Sequence, residues 1–137
     1  MDAPKGSVLV AYDGSDPAQR AIEHAAGLVG KGGTVTIINV ISAQSVSSRL
    51  ETVSDNERRT QDHLLRDAEK LLTRRGVNAD LMRAAGDPAM EILSAAATIG
   101  ADVIVVGRRK GLAPHLVHRS LSSTLVRRAT CDVLVVH

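Results

Sequence analysis

The sequence predicts a doubly wound α/β fold: a five-stranded parallel sheet with helices on both faces. Two observations carry the prediction. Short aliphatic runs rich in β-branched residues recur along the chain, and segments of helical period with recognisable starts and stops lie between them. Strand, helix, strand repeated along one chain requires parallel strands joined by right-handed crossovers, which puts helices on both faces of the sheet. A length of 137 residues fits one such domain, so residues 1–137 are read as a single unit.

The first strand is Val8 to Ala11. A turn at Ser15 and Asp16 follows, with Pro17 just inside a helix that repeats Ala18, Ala21, Ile22, Ala25 and Val29 on one face and stops at Gly30. Val35 to Val40 is the second strand. Ser42 to Thr60 is polar and without a clear period, and reads as a mobile connection. The second helix carries the stripe Leu64, Leu65, Ala68, Leu71 and Leu72, with Arg66, Asp67, Glu69 and Lys70 facing water and Gly76 as its stop. Val77 to Arg83 alternates apolar with polar residues, so it is half exposed and reads as an edge strand. The third helix starts at Asp87-Pro88, buries Ile92, Leu93 and Ala96, and stops at Gly100. Val103 to Val106 is a buried strand. A fourth helix begins within Ser120 to Ser123 and turns Leu125, Val126 and Ala129 inward. The last strand, Val133 to Val136, is uniformly aliphatic with no Lys or Pro, an edge that invites a second copy and predicts a homodimer.

Composition narrows the functional classes. Hydrophobic residues make up 44% against 23% charged, which argues for a folded chain. Tyr12 is the only aromatic residue, so the core is built from Val, Ile, Leu and Ala, and a flavodoxin-like sandwich for flavin lacks its rings. Aliphatic runs such as Val103 to Val106 fall far short of the ~20 residues of a membrane span, and the opening MDAPKG does not read as a signal peptide. A cytoplasmic protein without membrane contact is expected. The single Cys131 reads as a small filler. Seventeen Lys and Arg nearly balance fifteen Asp and Glu, and the basic pairs are scattered over different segments without aromatic partners, so no nucleic-acid surface is expected. His115 and His118 stand three apart with no acidic or cysteine partner nearby, and no metal site is expected. None of the usual NTPase, dinucleotide, zinc-protease or hydrolase strings occurs, and a receiver domain would want an aspartate where the third strand ends in Met82-Arg83-Ala84. No catalytic pair suggests itself, and no enzyme activity is expected.

In a doubly wound sheet, ligands bind beyond the carboxyl ends of the strands where the winding reverses. The residues there are Ala11-Tyr12-Asp13-Gly14-Ser15, Val40-Ile41 and Gly107-Arg108-Arg109-Lys110-Gly111. Taken with VLVAYDGSD and its helix AQRAIEHAAGLV, Gly86-Asp87-Pro88, the strand Ala101 to Gly107 and the close Ser120 to Val136, the sequence resembles the universal stress protein family over essentially its whole length. The resemblance implies a stress-response regulatory module with strand order 3-2-1-4-5, in which many members bind ATP or a related adenine nucleotide. By position, Asp13 would contact the ribose, the main chain at Val40 the adenine, and Gly107 to Ser120 the phosphates, with magnesium as companion. The residues it assigns to the crevice are Ala11, Asp13, Val40, Gly107, Arg108, Arg109, Gly111, Arg119, Ser120, Leu121 and Ser122.

The phosphate loop departs from the family's G-x-x-G, about nine residues, then G-[ST]. Lys110 stands where the second glycine belongs, Gly111 comes one position late, and Arg119 replaces the last glycine. Either the cations pair with phosphates in place of backbone amides, or arginine side chains fill the pocket. Asp13 also suits a turn and helix start, Gly14 a turn, Gly107 a strand end, and Ser120, Ser122 and Ser123 helix caps. Two functions stay open: a nucleotide-binding regulatory module, or a nucleotide-independent dimeric stress factor acting through protein contacts.

Overall fold

The computed structural model describes residues 6–42, 53–108 and 120–137. Strands β1 (Val8–Ala11), β2 (Thr34–Ser42), β3 (Asn78–Gly86), β4 (Val103–Gly107) and β5 (Asp132–Val136) alternate with helices α1 (Asp16–Val29), α2 (Asp55–Thr73), α3 (Pro88–Ile99) and α4 (Leu121–Arg128). All pairings are parallel and the order is β3-β2-β1-β4-β5, as predicted.

Neighbouring side chains of a strand point to opposite faces, and the aliphatic runs supply both faces at once. Val8, Val10, Val35, Ile37, Val103 and Val105 pack beneath α1 and α2. Leu9, Ile38, Ile104 and Val106 pack beneath α3 and α4 with Ile92, Ala96 and Leu125. Each fully buried Leu or Ile contributes about 1.5–3 kcal/mol of transfer free energy, and the small alanines of α1 let that helix lie close on the sheet. Tyr12 is buried on the α1/α2 side. Burial pushes its phenol pKa up, and the Asp67 and Asp13 carboxylates push in the same direction.

The polar tract after β2 is shorter than its composition suggests. Ser42 still belongs to β2, and α2 starts at Asp55 behind a capping box: the Ser54 hydroxyl accepts from Glu57 N (3.1 Å) and the Glu57 carboxylate accepts from Ser54 N (3.1 Å). The run Ser54-Asp55-Asn56-Glu57 is therefore a strong helix start, and Arg58 to Thr60 are helical. Residues 43–52, the rest of the expected mobile connection, lie outside the described residues. Ser54→Ala is expected to cost about 1 kcal/mol, read by urea denaturation; no change would mean that tertiary packing alone holds this helix start.

Val126 does not turn inward as predicted. Helix α4 spans only Leu121–Arg128, and its inner face is set by Leu121, Leu125 and the flanking Ala129 at four-residue spacing. Val126 lies one position further round and is 57% exposed. Cys131 packs half-buried against the α3/α4 face and burial raises its thiol pKa, consistent with a filler.

The two sheet edges differ. β3 carries exposed Asn78, Asp80 and Arg83, and Arg83 Nε donates to Asp62 Oδ1 of α2. That bond holds the Asp62 carboxyl below its ordinary pKa, so the pair contributes above the unfolded carboxylate range and fades as pH falls through the lowered value. At the other edge, Val133, Leu134 and Val135 of β5 are half exposed.

Candidate functional site

Register places the candidate residues at one level of the sheet. Ala11 lies opposite Ile38 of β2 and Val106 of β4, so Asp13, Val40 and Gly107 all fall one or two residues beyond it, at the carboxyl edge. β2 runs on through Asn39, Val40, Ile41 and Ser42, still paired with β3, after β1 has ended. Tyr12 N donates to the Ile38 carbonyl (2.9 Å), so the peptide groups of Ile38 face β1. Alternate residues of a parallel strand present their peptide groups to the same side, and those of Val40 therefore face the space that β1 vacates.

A buried polar network holds this β2 extension in place. Gln61 Nε2 reaches the Asn39 carbonyl (2.8 Å), Asn39 Oδ1 (3.1 Å) and the Ala84 carbonyl (3.0 Å). Asn39 Nδ2 donates in turn to the Tyr12 carbonyl (2.8 Å), directly before Asp13. Among the described residues, Asn39 and Gln61 are the buried polar side chains, and their low local dielectric makes each bond count. The sequence reading missed both. Their signals were present: Gln61 is polar on the Leu65, Ala68, Leu72 stripe, and Asn39 interrupts the run from Val35 to Val40.

Asp13 is exposed at the crevice rim, and its Oδ1 accepts from Ser15 N (2.9 Å), a local turn that delivers the chain into α1. Ser15 caps that helix through Ala18 N (3.2 Å). Gly14 has φ +83°, a conformation that favours glycine, and a β-carbon there would also push aside the flexible end of Leu64 (Cδ2 at 2.7 Å). The turn-forming role of Asp13 and Gly14 is thus realised.

Gly107 has a reason the sequence did not show. A β-carbon on it would lie 2.6 Å from Ala18 N, 2.6 Å from the Pro17 carbonyl carbon and 2.8 Å from Pro17 O. The exit of β4 is pressed against the first turn of α1, which brings the positive end of that helix to the crevice wall. Arg108 N extends the β4–β5 ladder to the Val136 carbonyl (2.7 Å). Across from it, Ser120 caps α4 by accepting from Ser123 N (3.2 Å), and its hydroxyl also meets those of Ser122 (3.2 Å) and Ser123 (2.9 Å). Leu121 packs into the α3/α4 core, so in the crevice it can offer only its first-turn amide, beside that of Ser122. The structure thus gathers Ala11, Asp13, Val40, Gly107 and Arg108, with the α4 start at Ser120 to Ser122, at one end of the sheet. Arg109, Gly111 and Arg119 lie outside the described residues, as do His115 and His118. Among the described residues no group of three His, Cys, Asp or Glu is placed to hold a metal, and no helix is long and apolar enough to cross a membrane.

Winding that reverses at β1 puts the ligand position of such a sheet between β1 and β4, the arrangement of small doubly wound binding domains. The chain belongs to the universal stress protein family, whose model matches residues 6–137. It is 30% identical to the universal stress protein YxiE of Bacillus subtilis, over 94% of this chain and 97% of that one. Among solved structures it is similar to universal stress protein UspA from Lactobacillus plantarum, with TM-score 0.81 and 24% identity over 99% of this chain and 100% of the other. A universal stress protein solved in complex with cAMP is 26% identical, with TM-score 0.78 over 98% of this chain and 99% of its own.

Proposed function

We propose that this domain is a cytoplasmic stress-response module that binds an adenine nucleotide, ATP with magnesium, in the crevice between β1 and β4, and that it regulates without catalysing a reaction. The observation that carries this reading is the common level of Asp13, the Val40 peptide edge and Gly107 at the carboxyl end of the sheet. In this reading Asp13 accepts from ribose hydroxyls, the Val40 peptide groups pair with the base edge, and the amides of Leu121 and Ser122 receive phosphate. The similar protein that holds cAMP supports the ligand class.

Titration calorimetry with ATP and magnesium tests it, alongside mass spectrometry of any small molecule that co-purifies. Saturable heat is expected. Arg119→Gly then separates the two readings of the phosphate loop: weaker binding means that the arginine holds phosphate, and tighter binding means that it obstructs. Absence of heat at millimolar nucleotide in both proteins would overturn the nucleotide reading.

The half-exposed aliphatic edge of β5 favours a second reading, that of a dimeric factor acting through protein contacts with no need of nucleotide. Pairing of β5 with its twin is compatible with both functions. Light scattering at micromolar concentration is expected to give a dimer mass; monomer alone would remove the dimer from either reading.

A further inference from the structure

The buried network behind the crevice ends the β1–β2 ladder at a defined rung. In a parallel pair, a residue whose N–H donates to the residue before its opposite number accepts at its carbonyl from the residue after it. One step past the Ala11–Ile38 register, Tyr12 stands opposite Asn39, and its N–H donates to the Ile38 carbonyl (2.9 Å). The next rung of a continued ladder would therefore run from Val40 N to the Tyr12 carbonyl. Asn39 takes that acceptor instead. Its Nδ2 donates to the Tyr12 carbonyl at 2.8 Å, and among the described residues no backbone N–H does so. A side-chain amide stands in for a backbone one, and the Val40 N–H is released from β1.

The chain of bonds runs in one sense only. The Tyr12 carbonyl can only accept, so Asn39 must turn Nδ2 to it and Oδ1 to Gln61. Gln61 then meets three oxygens, the Asn39 carbonyl (2.8 Å), Asn39 Oδ1 (3.1 Å) and the Ala84 carbonyl (3.0 Å), and has to face them with its own amide nitrogen. An acidic residue at either position would bring acceptors to acceptors. Asn39 is 7% exposed and Gln61 4%, so water does not replace a missing donor. Ile38 and Val40 turn to the α3/α4 face, which sends Asn39 to the α2 face between them, and Gln61 comes down on it from the inward stripe of Leu65, Ala68 and Leu72.

We infer that Asn39, held by Gln61, is a positioning residue for base recognition: by occupying the Tyr12 carbonyl it keeps the Val40 N–H, beside the Val40 carbonyl, for the edge of a purine. The inference rests on the nucleotide reading above and adds to it the two residues that set its base specificity. Neither side chain needs to touch the ligand, since both act through the Val40 peptide edge. Adenine presents an acceptor ring nitrogen next to an amino donor, which complements one N–H and one carbonyl. Hypoxanthine exchanges the two, with a protonated ring nitrogen beside a carbonyl oxygen, and fits the same edge poorly. Without Asn39, the Val40 N–H closes its rung on Tyr12 and is lost to either base.

Calorimetry with ATP and with inosine triphosphate, each with magnesium, on the wild type, Asn39→Leu and Gln61→Met reads the specificity, and amide hydrogen exchange of the wild type by NMR reads the rung. In the free wild type the Val40 amide is expected to exchange about tenfold or more faster than that of Ile38, and to slow with ATP but not with inosine triphosphate. The wild type is expected to prefer ATP by about tenfold, the scale of one hydrogen bond. Asn39→Leu should cut that preference to about twofold or less by weakening ATP while leaving inosine triphosphate unchanged, and Gln61→Met should fall between. Both variants are expected to melt lower than the wild type. A purely structural role would weaken both nucleotides alike and keep their ratio, which overturns the inference. Equal affinities in the wild type, or a Val40 amide protected like that of Ile38 in the free protein, overturn it as well, and each of these results leaves the nucleotide reading standing. No binding of either nucleotide overturns both. Should Asn39→Leu not fold, Gln61→Met and the wild-type exchange decide.

Discussion

Gly107→Ala is expected to destabilise the domain by about 3 kcal/mol or more, at the upper end of what added core volume costs. The new methyl carbon would sit 2.6 Å from backbone atoms of Pro17 and Ala18, and neither side can yield cheaply. β4 is held between β1 and β5, and the first turn of α1 is fixed by the Ser15 cap. The loss should appear in urea denaturation with or without nucleotide, because the collision is within the protein and not with a ligand. Gly27→Ala, in the exposed part of α1 with nothing within 4 Å of the added carbon, is the matching control. It is expected to stabilise by about 0.5–1 kcal/mol through helix propensity. A Gly107→Ala protein within about 0.5 kcal/mol of the wild type would show that α1 can retreat from β4, and the crevice wall would then be soft.

Asp13→Ala is expected to weaken ATP binding by roughly 10- to 150-fold, since hydrogen bonds to a charged acceptor are worth about 1.5–3 kcal/mol. The same change removes the acceptor for Ser15 N, so some stability goes with it. Asp13→Asn separates the two effects. Its amide oxygen still accepts from Ser15 N and restores the turn, while the missing charge leaves ATP affinity low. Calorimetry on both variants reads affinity, and thermal melts read the turn. Tyr12, buried one residue before Asp13 and the sole aromatic residue of the chain, offers tyrosine fluorescence as an independent probe of the same place. Full ATP affinity in Asp13→Ala would reduce Asp13 to a turn former.

The fold was legible because its core uses the simplest code available. Strands buried on both faces read as unbroken Val and Ile runs, and Ser15, Gly30, Asp87 and Gly100 punctuate the helices by local chemistry that needs no tertiary context. The start of α2 was equally local and still went unread, because Ser54 to Glu57 lies in a polar stretch where composition suggested a loop. Val126 failed for a different reason: in an eight-residue helix one position of phase decides between core and surface. At the site, Asp13, Val40 and Gly107 could be placed from strand ends alone. The close packing of Gly107 against Pro17 and the Gln61–Asn39–Tyr12 network could not, since both join residues far apart in the chain through a geometry that only the folded sheet creates.

The contrast between the two sheet edges bears on how large an assembly can become. β3 ends the sheet with exposed Asp80 and an Arg83 already engaged by Asp62, a border that repels an incoming strand. β5 ends it with half-exposed Val133, Leu134 and Val135. Two chains joined symmetrically at β5 would form one continuous sheet bounded by β3 on both sides. Such a union consumes its own sticking surface in the act of forming, so it terminates at two copies instead of growing into a filament.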